Sequence, residues 1–241
     1  MKDLEKQVLD ITPANVFNSN NLEVLLNFSA TIVKSNLTPH KTSESALAAI
    51  LQGMEIGLPA MAALNNIHLI QGRATLGVNV YTAILLKNGI IFDILKDCQP
   101  IFQYVRRKSD GKDYSPVIVY REDELPDASA LGSDKLIKGV KPVDYVTEIK
   151  FSRVVKGREF TITNKFSYLD ALTQELTDKD NWKRMLKTML RTRCLTTGAR
   201  LIAPDLFMGL YETTEILDTN QKNNNYAVTE DGVVEDITNN G

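Results

Sequence analysis

The sequence predicts an α+β fold, in which antiparallel β-hairpins and a sheet pack against helices. Three observations support this prediction. Apolar residues recur at helical spacing in the N-terminal part of the chain. Two later stretches alternate between apolar and polar residues on either side of a short turn, as β-hairpins do. A basic stretch near the C-terminus has one apolar face when it is wound as a helix.

Length and composition fit a globular protein. The chain has 241 residues, of which 43% are hydrophobic and 24% charged, enough for one large or two small domains. Gly and Pro number 13 and 8, which excludes collagen-like and wholly disordered classes. With only two cysteines and two histidines, neither a disulfide framework nor a metal site is expected. The N-terminus lacks the apolar run of a signal peptide and no stretch has the length of a membrane span, so a cytoplasmic protein is expected.

The N-terminal part predicts two helices. Apolar positions between Leu22 and Val33 keep helical spacing, and a second helix begins near Thr42 or Ser43, either of which can cap it. Gly57 and the proline that follows shortly after are typical of a helix end. Residues 1–20 are polar and rich in asparagine, which favours a flexible N-terminal arm.

A first hairpin is predicted around the two-residue turn Gln71-Gly72. The register pairs residues 67–70 with residues 73–76, so that one face of the hairpin is apolar and the other is wet. The wet face carries His68, Thr75 and Arg73. A short helix is expected from about Val78 to Lys87.

The middle of the chain predicts more strands. Residues 90–122 have the composition of three strands, the last two joined by the turn-prone SDGKD, and residues 123–142 are expected to form a polar loop. A second hairpin pairs residues 143–155 with residues 158–166 around Lys156-Gly157. Its register places Phe151 opposite Ile162 on one face and Glu148 opposite Lys165 on the other.

Charge is distributed unevenly along the chain. Residues 1–177 carry no net charge. Residues 178–204 carry seven basic and two acidic side chains, and residues 205–241 carry one basic and eight acidic side chains. A cationic segment therefore precedes an anionic tail, and the small overall charge of −2 says little about partners.

The cationic segment is amphipathic when it is wound as one helix from Trp182. Its apolar face consists of Trp182, Met185, Leu186, Met189 and Leu190. The opposite face consists of Lys183, Arg184, Lys187 and Arg191. Solvated helix faces usually mix charges of both signs, whereas no acid offsets these four cations. A nucleic-acid phosphate backbone is the natural counterion, which indicates a nucleic-acid-binding face.

Arg193 and Arg200 fall on the apolar side of the same helix. A buried arginine needs an acceptor. Three explanations stay open at this point: the helix bends or ends before Gly198, the arginines reach a phosphate, or they form buried ion pairs with Asp205 or Glu212.

Two long blocks of the chain carry an ordered pattern of residues. The upstream block is ALAAILQGMEIGLPAMAALNNIHLIQGRATLGV, with a Gly-basic turn at Gly72-Arg73. The downstream block is NWKRMLKTMLRTRCLTTGARLIAPDLFMGLYETTE. Both blocks resemble the phage RecT/Redβ family of single-strand annealing proteins. The family pattern in the downstream block falls on Trp182, Met189, Leu190, Arg191, Arg193, Ala199, Arg200, Pro204, Asp205, Gly209, Leu210, Tyr211 and Glu215. The resemblance covers about residues 20–217, and a long ordered pattern is more specific than a short motif.

The resemblance implies a protein that coats single-stranded DNA as a ring or helical filament and anneals complementary strands without ATP. It implies a core similar to that of the single-strand annealing superfamily, an annealed duplex intermediate, and as partners a phage 5′→3′ exonuclease and the host single-strand binding protein, all in the cytoplasm of a bacterial host. We expect a DNA-binding and annealing domain over residues 21–217, a disordered acidic tail over residues 218–241, no cofactor and no enzymatic activity. The sequence contains no GxxxxGK[ST] loop, which fits independence from ATP. The expected nucleic-acid-binding residues are Lys183, Arg184, Lys187, Arg191, Arg193, Arg200 and Arg73.

The alternative is a Mg²⁺-dependent nuclease. Glu148 and Lys150 match the Glu-x-Lys half of such a site, where the carboxylate holds the metal and the lysine steadies the attacking water. The further carboxylate that this site requires would come from Asp127 or Asp134. The same Glu148 is also explained as the cross-strand ion-pair partner of Lys165.

Overall fold

The computed structural model describes residues 4–5, 11–70, 72–107, 119–131, 134–208, 210–219, 226–228 and 234–236. The chain divides into two compact units. The first unit comprises Met1–Ile90 together with Ala199–Gly241, and the second comprises Ile91–Gly198. The fold is mixed α+β, with antiparallel sheets packed with helices, which confirms the predicted fold class at this level.

The helices and strands are numbered here in chain order. The described helices are α1 (Ser19–Lys34), α2 (Ser43–Glu55), α3 (Ala60–Asn66), α4 (Val78–Lys87), α5 (Ala128–Leu131), α6 (Tyr168–Thr173), α7 (Asp180–Arg184), α8 (Leu186–Ile202), α9 (Pro204–Phe207) and α10 (Thr213–Thr219). The described strands are β1 (Ile67–Ile70), β2 (Arg73–Leu76), β3 (Ile91–Arg107), β4 (Val119–Arg121), β5 (Lys135–Val155), β6 (Arg158–Ser167), β7 (Tyr211–Glu212), β8 (Tyr226–Val228) and β9 (Val234–Asp236).

The second N-terminal helix of the first unit begins where its predicted cap places it. The hydroxyl of Thr42 accepts a hydrogen bond from the backbone N–H of Ser45 at 3.2 Å, so Thr42 caps α2 as expected. Gly57, just after α2, has a φ of +73°, a conformation that glycine adopts at little cost. The predicted bounds of α4 are confirmed at both ends.

The segment expected to be a flexible arm is partly packed into the first unit. Ile11 and Val16 are only 8% and 4% exposed and belong to the same buried cluster as Leu25 and Phe28. This segment therefore contributes two apolar side chains to the core, because burial removes their surface from water. Residues 6–10 lie outside the described part of the chain.

The first hairpin has the predicted register, with Ile70 opposite Arg73 and Ile67 opposite Leu76. Of the expected wet face, Arg73 is exposed as predicted, but the prediction is wrong for Thr75. Thr75 is fully buried and its hydroxyl lies 3.2 Å from that of Thr213. The short strand β7 pairs in parallel with β2 and extends the sheet, and α10, which follows β7, packs against both strands of the hairpin. Thr213 on α10 lies 138 positions downstream of Thr75, and local alternation of polarity cannot reveal such a distant contact.

The second unit is built on an antiparallel sheet in the order β4-β3-β5-β6. The predicted hairpin register is confirmed, with Phe151 opposite Ile162 and Glu148 opposite Lys165. Two of the three strands expected over residues 90–122 are one continuous strand, β3. Its polar interruption is a β-bulge rather than a turn, because two residues of β3, Asp97 and Cys98, lie opposite the single residue Thr147 of β5.

The polar loop expected over residues 123–142 is more structured than predicted. A single turn of 3-10 helix spans Glu122–Glu124, α5 follows, and β5 begins at Lys135. In the first residues of β5, apolar residues do not coincide with buried positions; Val140, for example, is 95% exposed. The alternation of apolar and polar residues that predicts a strand is therefore absent from this part of the sequence. Residues 108–118, which include part of the third expected strand, lie outside the described residues.

Within the second unit, α8 lies directly on the sheet. The side-chain amide of Asn164 on β6 donates hydrogen bonds to the backbone oxygen of Cys194 and to the hydroxyl of Thr197, both at 2.7 Å. A Cβ atom on Gly198 would lie 2.3 Å from the Phe151 ring, so only glycine allows this close approach. These contacts fix the position of α8 on the face of the sheet.

The tail expected to be disordered is described only in part. Asp218 is buried at the end of α10, and the two short strands β8 and β9 pair antiparallel. The remaining residues of the tail lie outside the described part of the chain.

No single helix in the described part of the chain is long and apolar enough to cross a membrane. Helices α2 and α3 pass that test only as a pair, by length and composition, and the pair is bent by 115°.

Candidate nucleic-acid interface

The cationic segment does not form the single helix that the sequence predicts. It forms two helices, α7 and α8, which are separated at Met185, where φ is −132° and ψ is 43°. Met185 is 51% exposed, although it was expected on the apolar face, whereas Trp182 is 2% exposed as predicted. The Trp182 ring packs against that of Phe166, with centroids 6.2 Å apart. Tertiary packing thus overrides helix propensity at a point that no proline or glycine marks.

Lys183 and Arg184 lie in the last turn of α7, before the break. Both side chains are exposed. Neither forms a hydrogen bond or an ion pair with any other residue that the structure describes. These two cations are therefore available to an external anion.

Lys187 and Arg191 lie one turn apart on α8 and share one carboxylate. The Nζ of Lys187 is 3.0 Å from Oδ2 of Asp97. The Nε of Arg191 donates to Oδ1 of Asp97 at 3.1 Å, and an Nη of the same guanidinium donates to Oδ2. The Lys187 and Arg191 side chains nevertheless stay 60% and 44% exposed. Exposed pairs of this kind contribute only about 0–1 kcal/mol each, so an external phosphate can compete with Asp97.

The bulge in β3 places Asp97 beneath α8. Cys98, within the bulge, has a φ of +55°. Its N–H donates a hydrogen bond to the hydroxyl of Thr147 at 3.1 Å, which stabilises the bulge. Hydrogen bonding from Arg191 lowers the pKa of Asp97, and Asp97 in turn raises the pKa of Arg191. Both groups are therefore charged at neutral pH, and the pair is a true ion pair.

The sequence interpretation missed Asp97, because it lies 94 positions from Arg191. The only local signal was an acid within the polar interruption of an otherwise apolar stretch. That signal points equally well to a turn.

Of the four expected cations on α7 and α8, two contact a carboxylate of the described residues, and both contact that of Asp97. We call Lys183, Arg184, Lys187 and Arg191 the cationic cluster. With Asp97 included, the cluster keeps an excess of three positive charges at the surface of the second unit. Such an excess attracts polyanions and makes their binding dependent on salt.

Arg193 is not part of the cationic cluster. It is only 8% exposed and is buried in α8. Its backbone oxygen accepts a hydrogen bond from Thr197 at 2.6 Å. The structure therefore places this expected DNA contact in the interior of the protein.

Arg200 lies in the first unit and forms an ion pair. Its guanidinium is 2.8 Å from Glu215 and donates to the hydroxyl of Tyr81 at 3.3 Å. Burial lowers the pKa of Arg200, but Glu215 and Tyr81 raise it, and the net shift is upward. A carboxylate partner was one of the open explanations, but the partner is Glu215 rather than Asp205 or Glu212.

Arg73 lies at the start of β2, also in the first unit. Its side chain is exposed and forms no hydrogen bond or ion pair with another residue in the described ranges. It lines an open cavity of about 400 Å³. The cavity is lined by Gln52, Arg73, Ala74, Met208, Leu210 and Tyr211.

The carboxylates of the nuclease alternative form ion pairs with basic side chains instead of gathering around a metal site. Glu148 lies 3.0 Å from Lys96 and 3.8 Å from Lys165. Asp134 is 2.7 Å from the Nε of Arg106. No group of three or more His, Cys, Asp or Glu side chains in the described residues is placed to hold a metal ion. The arrangement around Glu148 corresponds to the cross-strand ion pair that the hairpin register predicts.

No family model, no curated protein and no solved structure matches this chain. The resemblance to the RecT/Redβ family therefore depends on the residues quoted above and stays a prediction.

Proposed function

We propose that this chain binds single-stranded DNA and anneals complementary strands without ATP, as a homo-oligomeric protein of phage recombination. The observation that carries the proposal is the cationic cluster, in which four exposed or half-exposed cations outnumber the single carboxylate of Asp97. Proteins that bind single strands without sequence preference use positively charged grooves of this kind. The residue pattern shared with the RecT/Redβ family supports the same function.

The cluster would act on the phosphates of the strand. Lys183 and Arg184 would bind phosphates directly, since neither has a partner in the described residues. Lys187 and Arg191 would exchange Asp97 for phosphate. They lie one helical turn, about 6 Å, apart along α8, which a flexible single strand can match. Each neutralised phosphate releases counterions, which drives binding.

Annealing is possible because this mode of binding leaves the bases of the strand free. Contacts to phosphates carry no sequence information, and the bases stay open to pairing. Complementary bases then supply specificity, while the protein reduces the repulsion between strands. A homo-oligomer, as a ring or a filament, repeats the weak site along the strand and multiplies its affinity. By the same resemblance we propose a phage 5′→3′ exonuclease and the host single-strand binding protein as partners, in the bacterial cytoplasm.

Fluorescence anisotropy with a labelled oligothymidylate tests the DNA-binding part of this proposal. The variant Lys183→Ala/Arg184→Ala should bind at least about tenfold more weakly than the wild type at moderate salt. Its salt slope should be shallower by about 1.4, since each lost single-strand phosphate contact changes the slope by about 0.7.

The matched control removes the same two charges elsewhere in the second unit. Lys156 and Arg158 flank the β5–β6 turn and are exposed. Lys156→Ala/Arg158→Ala should bind within about twofold of the wild type. Equal losses in both double variants, or wild-type binding that does not respond to salt, would overturn the cationic cluster as the DNA site.

A further inference from the structure

The open cavity of the first unit combines an exposed aromatic ring with an exposed cation. Tyr211 lies on β7 and is 42% exposed. Arg73 lies on the neighbouring strand β2, and both residues line the cavity of about 400 Å³. One nucleotide of a single strand carries a base and a phosphate. An aromatic ring can stack on the base, and a guanidinium beside it can pair with the phosphate.

The Tyr211 ring is held in place from within the protein. The guanidinium of Arg200 lies 5.2 Å from the ring centroid. Arg200 is fixed by Glu215 at 2.8 Å and by the Tyr81 hydroxyl at 3.3 Å. That hydroxyl donates to the backbone oxygen of Leu210, the neighbour of Tyr211, at 2.6 Å. A ring supported in this way loses little conformational freedom when a ligand stacks on it.

The two arginines near Tyr211 therefore have different roles. The charge of Arg200 is compensated by Glu215, so Arg200 positions the ring. Arg73 has no ion-pair partner in the described residues, so its charge is available to a phosphate. Gln52, whose side-chain nitrogen donates to Glu55 at 3.3 Å, adds an amide to the cavity lining.

We propose that this cavity binds one nucleotide of a single strand, with its base stacked on Tyr211 and its phosphate paired with Arg73. The inference rests on the proposed function, because it assigns a second contact of the same strand to the first unit. It also gives Tyr211, an aromatic residue in the Gly-Leu-Tyr stretch, a role that its sequence position alone does not indicate. Stacking on a tyrosine tolerates any base, which suits a protein that must bind every sequence.

The test compares two ligands, an oligothymidylate and a strand of equal length whose sites are abasic. Tyr211→Ala should weaken binding of the oligothymidylate at least about fivefold, the lower bound for stacking of one base, and leave the abasic strand within about twofold. Arg73→Gln should weaken binding of both strands, because both carry phosphates. Tyr211→Phe keeps the ring and should bind as the wild type does.

Two further measurements exclude a folding artefact. Phe17→Ala removes another ring of the first unit, which is 80% exposed, and should leave both affinities unchanged. A strand that contains 5-bromodeoxyuridine should form a photo-crosslink to the peptide that carries Tyr211.

The outcomes separate this inference from the proposed function. If the wild type binds the oligothymidylate and Tyr211→Ala binds both strands as the wild type does, the nucleotide site is wrong and the function stands. An equal loss of both strands in Tyr211→Ala also overturns the site, since the loss would not depend on the base. If the wild type binds neither strand, the proposed function fails and the site fails with it.

Discussion

Asp97 determines how much of the cationic cluster is available to an external anion. It is the carboxylate that both Lys187 and Arg191 contact, and its side chain is 28% exposed. An internal carboxylate in this position occupies the two cations as a phosphate would. Under the proposed function, a strand must displace this carboxylate before it gains those two contacts, so we expect Asp97 to weaken binding in the wild type.

Asp97→Asn is therefore expected to bind single-stranded DNA more tightly. Loss of two exposed ion pairs, worth about 0–1 kcal/mol each, should tighten binding about three- to tenfold. The salt slope should stay close to that of the wild type, because the same phosphates are neutralised, and release their counterions, in both proteins. Fluorescence anisotropy over a salt series measures both quantities.

Asp93→Asn is the matched control for this prediction. Asp93 lies on the same strand, is exposed, and forms no ion pair with another residue in the ranges described. Its substitution removes the same charge without freeing a cation. If the two variants tighten binding equally, the effect is one of net charge, and Asp97 does not compete with DNA.

At the scale of elements, both hairpins were predictable in full register, because a tight turn and the alternation of polarity agreed on the same pairs. The pairing of Phe151 with Ile162 is one example. Strand β3 was predicted as two strands, because a bulge at Asp97 and Cys98 has the same polar composition as a turn. The break at Met185 was not predictable, because it depends on how Trp182 packs against the sheet.

The candidate site was predictable only as a charge pattern. The sequence identified all four cations of the cationic cluster. It could not show that Arg193 is buried or that Arg200 pairs with Glu215. Helical periodicity assigns a residue to a face of the helix, but it does not indicate which other residues pack against that face. The same limit explains why the partner of Lys187 and Arg191, which comes from a distant strand, was missed.

Gly198→Ala tests the contact between α8 and the sheet. Alanine favours a helix by about 1 kcal/mol over glycine, but its Cβ would lie 2.3 Å from the Phe151 ring. Because overpacking of this kind costs about 1–3 kcal/mol and the contact is severe, the free energy of unfolding should fall by at least about 1 kcal/mol. Urea denaturation measures the change.

Phe151→Leu supplies the control for the Gly198 prediction. If the Phe151 ring causes the clash, the double variant should lose less stability than the sum of the two single variants. Additive losses would place the cause elsewhere and contradict the packing described for α8.

At the scale of the whole molecule, the excess of basic over acidic side chains is concentrated in residues 178–204 of a chain whose net charge is only −2. Cations of the cationic cluster lie in the second unit, whereas Arg73 and Tyr211 lie in the first. We infer that a strand uses the cluster for electrostatic affinity and the cavity for a base contact. Repetition of both in an oligomer would then coat the strand and leave most bases free to pair.

The most direct test of the central claim is an annealing assay with two complementary oligonucleotides and no added nucleotide. The wild type should accelerate duplex formation, measured by quenching of a fluorophore pair, and electron microscopy should show the strand coated by protein. Lys183→Ala/Arg184→Ala should lose most of the acceleration, while Lys156→Ala/Arg158→Ala should keep it. Duplex formation at the uncatalysed rate in the presence of the wild type would contradict the account.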